Sequence, residues 1–176
     1  MTASSTAMAD SDPPTILFDP WPRSAEMIFG GDMQSRFECL GRIVGIEEGG
    51  AGKLPADIVD AALPDTVAIV GQTDLDARRL SRAPKLRAII NVEGNFQQNV
   101  DFHDPWLPDA SIRELLSSHR AGGVPLALAS IGEMVVDDLG LILRGLPPQR
   151  LQAARAEAVV RWRNPAGRSY APGTRL

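Results

Sequence analysis

Four short stretches of the chain are apolar without the alternation of a half-buried strand. Residues 15–18 (TILF) and 42–47 (RIVGIE) are short runs, the first closing into the turn DPWP and the second into the loop EGGAGK. Residues 66–71 (TVAIVG) are a fully apolar run, which predicts a strand buried on both faces of a parallel sheet, and residues 86–94 (LRAIINVEG) read as another buried strand emptying into a glycine loop. Between them the period changes. Residues 55–63 place Ile58, Val59 and Leu63 on one helical face, opened by Pro55 and stopped by Pro64. Residues 74–84 bring Leu75, Arg79 and Leu80 to helical spacing and end at a proline. The segment 24–41 is interrupted by Gly30 and Gly31, so a helix is expected in only part of it. Strands and helices alternating at these lengths predict right-handed βαβ crossovers and an α/β domain from residue 15 to residue 101.

Two more helices are predicted further along. Residues 108–116 begin with Pro108 and Asp109 and carry Ile112, Leu115 and Leu116 as an apolar face. Residues 125–147 give the strongest pattern in the chain: Leu128, Ile131, Val135, Leu139 and Ile142 follow one another at helical steps. Arg144 stands in the last turn, and Gly145 and Pro147 end it. The small, polar residues 1–14 read as a disordered leader and residues 149–176 as a tail holding at most a frayed helix.

Composition narrows the function classes. The chain has 176 residues, 44% hydrophobic, enough for one domain with a real core. A net charge of −4 argues against a nucleic-acid partner or an anionic membrane surface. The stretch from Arg144 to Leu176 runs against this, with seven Arg and one Glu, and reads as a solvated basic tail. Cys39 is the single cysteine, which excludes an intrachain disulfide and, with no histidine nearby in sequence, predicts a buried structural thiol. The N-terminus has neither the basic start nor the apolar run of a signal peptide, and no window reaches the roughly 18 apolar residues of a membrane span. A cytoplasmic protein is expected.

Candidate chemistry is sparse. His119 lies in the polar, glycine-flanked loop SSHRAGG just before the long helix, where an imidazole can exchange a proton near neutral pH; an ordinary surface histidine is the alternative. The segment NVEGNF (91–96) empties a buried strand at its carboxyl end, where open α/β sheets bind ligands. A glycine there lets backbone N–H groups approach a small anion, and a plain turn is the alternative.

These residues carry a resemblance. SRAPKLRAIINVEGNFQQNVD (81–101) resembles the substrate-loop segment of the NAD-dependent 2-hydroxyacid dehydrogenases specific for D-isomers. LSSHRAGGVPLALASIGEMVVDDLGLILRGLPP (116–148) is similar to that family's closing segment, in which a loop bearing the catalytic histidine precedes a last helix. HDPWLPDASIRE (103–114) is similar to the strand exit beyond its dinucleotide fingerprint. The resemblance covers residues 15 to 150 and implies an oxidoreductase moving hydride between NAD(H) and a small 2-hydroxy or 2-oxo acid. It implies His119 as the general acid/base, Gly94, Asn95 and Phe96 as the loop whose amides hold the substrate carboxylate, and Asp104 as the ribose-binding acid.

The same resemblance implies that two blocks are missing, one between Asp101 and Asp104 and one between Leu115 and His119. The glycine pairs at 30–31, 49–50 and 122–123 do not form G-x-G-x-x-G, none is expected to lead a strand into a helix, and no counterpart of the family's catalytic Arg or Glu stands out. The expected product is an internally deleted or incomplete member. It would comprise a flavodoxin-like parallel sheet of about four strands (15–101), a remnant of the Rossmann cofactor domain (102–118), and a histidine loop and last helix (119–148) returning to the sheet. The lost fifth strand would leave one sheet edge open and favour a homodimer. NAD binding by the chain itself is expected to be weak or absent, and a non-catalytic carboxylate-binding or dimerising module is the alternative to an enzyme.

Overall fold

Every residue of the first strand, β1 (Thr15–Asp19), is buried, and its side chains divide by parity between two cores. Ile16 and Phe18 enter one core and Leu17 the other. The same division holds in β3 (Thr66–Gly71), through Ala68 and Val70 against Ile69, and in β4 (Ala88–Asn91), through Ala88 and Ile90 against Ile89. An extended chain turns alternate side chains to opposite faces, so an unbroken apolar run is what a strand covered on both sides requires. In this computed structural model the described residues are 12–45, 52–92, 100, 114–117 and 125–153.

The first core lies under α1 (Ala25–Ile28), α2 (Met33–Glu38) and the long helix α5 (Pro125–Leu143). Leu128, Ile131, Val135, Leu139 and Ile142 all sit in it, as their helical spacing predicts. Phe18, Phe29 and Phe37 pack together within it, with ring centroids 4.5–5.4 Å apart, which fixes α1 and α2 to β1. The second core is covered by α3 (Ala56–Ala62), the single 3₁₀ turn Leu63–Asp65 and α4 (Ala77–Ser81), through Val59, Leu63 and Leu80. Ser24 caps α1 by accepting from Met27 N, and Asp76 caps α4 by accepting from Arg79 N.

Among the described residues the sheet has six strands in the order β2-β1-β3-β4-β5-β6, with β2 at Arg42–Val44, β5 at Glu114–Ser117 and β6 at Gln152–Ala153. The first five are parallel and β6 runs antiparallel to β5. This is the flavodoxin-like 2-1-3-4-5 order with one short strand added, and the long helix packs on the sheet as expected.

Three expectations are corrected. Residues 114–116, expected to end a helix begun at 108, form β5 instead: Leu115 and Leu116 pair with Ile89 and Ile90. The fifth parallel strand is therefore present, and the edge expected to stand open carries β6. Cys39, expected to be buried, is exposed at the end of α2. Among the described residues, no helix is long and apolar enough to cross a membrane.

Candidate functional site

In a doubly wound sheet the loops at the carboxyl ends of the strands part where the winding reverses, here between β1 and β3. Asp19 and Gly71 are register partners at that point. Gly71 has φ +132°, and a Cβ there would collide with the Asp19 carbonyl, so only glycine lets the two strand ends approach. Gln72 N donates to that same carbonyl at 2.8 Å.

The Asp19 side chain then gathers the rim. Its Oδ1 accepts from Leu54 N at 3.0 Å and its Oδ2 from Thr73 Oγ1 at 3.1 Å. One buried carboxylate thus ties the segment following β2 and the segment following β3 across the end of β1. Gln72, Thr73 and Asn91 are buried polar residues of the same edge. Thr73 is held in this enclosed edge by its bond to Asp19, because an unpaired buried hydroxyl costs on the order of 1–3 kcal/mol. Hydrophobic patterning passes over Asp19 and Thr73. The signal that could find them is the polar residue closing each apolar run, in TILFD and in VGQT.

On the other side of the switch point, β4 ends at Asn91 and β5 at Ser117, and these two residues are register partners. The chain leaves both strands at one level of the carboxyl edge. Gly94, Asn95 and Phe96 follow Asn91 by three to five positions, and His119 follows Ser117 by two. Those four residues and Asp104 lie outside the described residues. The glycine pair at 122–123, expected to have no strand before it, does fall between a strand and a helix, β5 and α5.

A groove lies elsewhere. About 910 Å³ in volume, it runs between α2 and the carboxyl-terminal half of α5, and Ser35, Arg36, Cys39, Asp137, Gly140 and Arg144 are among its lining residues. Arg87, directly before β4, donates to the Leu143 carbonyl at 3.5 Å, which sets this end of α5 at the amino edge of the sheet. That edge is opposite to the one where such sheets hold ligands. The charges in and beside the groove largely satisfy one another. Arg36 meets Asp137 at 3.3 Å, and Arg150 meets Asp137 at 2.7 Å and Glu133 at 3.6 Å. The hydrogen bond that Arg150 donates to the Asp137 carboxylate holds its guanidinium above its ordinary pKa. Solvent-exposed pairs of this kind contribute about 0–1 kcal/mol each. No group of three or more His, Cys, Asp or Glu placed to hold a metal ion occurs among the described residues.

A dinucleotide does not fit the described residues. The strand-to-helix connection after β3 reads QTDLD, without the glycines that let a pyrophosphate approach a helix N-terminus, and no G-x-G-x-x-G occurs anywhere in the sequence.

No family model matches this chain, and no curated protein matches it. Among solved structures it is similar to the crystal structure of a phosphoglycerate oxidoreductase from Rhizobium etli, with 28% sequence identity and a TM-score of 0.46 over 60% of this chain. The matched part spans 30% of that structure's own chain. The fold class stands on the strand order and register described above.

Proposed function

We propose that this chain is an acid-binding α/β domain of the 2-hydroxyacid dehydrogenase type, which holds the carboxylate of a small 2-oxo or 2-hydroxy acid at the carboxyl edge of its sheet. The observation that carries the reading is the register pairing of Asn91 with Ser117. It starts the two candidate segments, 93–99 and 118–124, from neighbouring strand ends on the ligand-binding edge. In this reading the backbone amides of Gly94, Asn95 and Phe96 receive the carboxylate, and His119 hydrogen-bonds the 2-oxygen and exchanges its proton. Asp104 has no phosphate cradle beside it in sequence and takes no part. The chain binds the acid and, with no G-x-G-x-x-G in its sequence, does not turn it over with NADH.

Calorimetric titration with glyoxylate, pyruvate and 2-oxoglutarate tests this. Saturable binding of at least one acid is expected, with no heat from NADH at micromolar concentrations. Mixing the chain with an acid and NADH should give no change in absorbance at the nicotinamide band. His119→Ala should leave the thermal midpoint unchanged. Absence of acid binding would overturn the reading, and NADH-dependent reduction lost in His119→Ala would overturn the restriction to binding.

A further inference from the structure

Asp138 stands near the carboxyl end of α5 and is fully buried. Its carboxylate receives the backbone N–H groups of three consecutive residues: Gln149 at 2.9 Å to Oδ1, Arg150 at 2.9 Å to Oδ2, and Leu151 at 2.6 Å to Oδ2. Arg150 N also reaches Oδ1, at 3.2 Å. Successive amides converging on one anion form a nest, here filled by a carboxylate of the same chain. Burying a charge is costly unless it is hydrogen-bonded, and charge-assisted bonds to three amides supply that compensation.

The residues after the nest return the chain to the sheet. Leu151 is buried in the first core, and the next two residues form β6. That strand pairs Gln152 with Ser117 and Ala153 with Leu116, at the carboxyl-terminal half of β5. Two residues have too little pairing and too little apolar surface to hold a strand in place alone.

We propose that Asp138 is a latch. Its carboxylate seats β6 on the sheet and thereby positions the carboxyl end of β5, from which the segment bearing His119 departs. The device is independent of acid binding, because it acts through backbone pairing that is present without any ligand. It makes Asp138 a positioning residue. The chain beyond α5 becomes a strap whose attachment sets the order of one end of the sheet.

Amide hydrogen exchange on the full chain tests the latch. Asp138→Asn preserves volume but replaces one carboxylate oxygen with an N–H₂ group, so it removes the charge and the bonds to that oxygen without opening a cavity. Protection is expected to fall roughly ten- to a hundred-fold at Gln149 to Ala153 and at Leu116 and Ser117, while Ala68 to Val70 keep theirs. Equal loss at all of these amides would show general destabilisation and overturn the proposal, as would unchanged protection at Leu116 and Ser117. Gln149→Pro removes one donor at an exposed residue and leaves the core intact, so it decides the matter if Asp138→Asn does not fold. A local loss of protection, smaller than in Asp138→Asn, is expected. An unchanged exchange pattern would again overturn the latch.

Discussion

Replacing Val135 with Asp is expected to cost about 4 kcal/mol and to lower the thermal midpoint by roughly 8–16 °C. Val135 is completely inaccessible on the sheet-facing side of α5, within the core that also holds Ile16, Ala68 and Ile90. An aspartate there must ionise in an apolar space or stay protonated, and either choice carries a penalty that a valine lacks. Since a domain of this size has only about 5–15 kcal/mol of net stability, the variant should populate unfolded chain at moderate temperature. Circular dichroism melting checks it. An unchanged midpoint would mean that α5 does not pack on the sheet.

The second large effect uses two glycines of the same helix. A Cβ at Gly132 would collide with the Ile28 carbonyl and press against the Phe29 ring, so Gly132→Ala must drive α1 and α5 apart. Overpacking against backbone costs about 1–3 kcal/mol, more than the roughly 1 kcal/mol that alanine gains in helix propensity. Gly140 meets only Leu40 Cδ2, at 3.6 Å, an ordinary contact. Gly140→Ala should therefore stabilise the chain by about 0.5–1 kcal/mol. Denaturant midpoints of the two variants should move in opposite directions. Movement of both in the stabilising direction would contradict the close approach of α1 to α5.

The sheet's centre was legible because its strands are buried on both faces. TVAIVG coincides with β3, and LRAIINVEG contains β4, whose stretch Ala88–Ile90 no polar residue interrupts. The long helix was legible for the complementary reason: one apolar stripe at a single period over five turns. β5 was missed because IRELL carries helix-forming residues at helical spacing, and pairing with β4 outweighs that local preference. β6 has no sequence signal of its own. Its place is set by the amides before it meeting Asp138, a contact between residues 11 to 13 positions apart that no local pattern encodes. The buried thiol was wrong because a lone cysteine's burial depends on which face of α2 it ends, and that helix turns Phe37 inward and Cys39 out. For the site, hydrophobic patterning does not reach the Asp19 rim, where the informative feature is a carboxylate shared by two loops.

The carboxyl edge as the place where a small acid binds is the central claim, and chemical-shift mapping tests it most directly. Titrating the ¹⁵N-labelled chain with glyoxylate, pyruvate and 2-oxoglutarate in turn should give saturable shifts at Val92 to Phe96 and at Ser117 to His119, with Gly71 to Thr73 as the nearest neighbours affected. Shifts confined to Ser35 to Cys39 and Asp137 to Arg144, around the groove at the opposite edge, or no saturable shifts at all, would contradict the account.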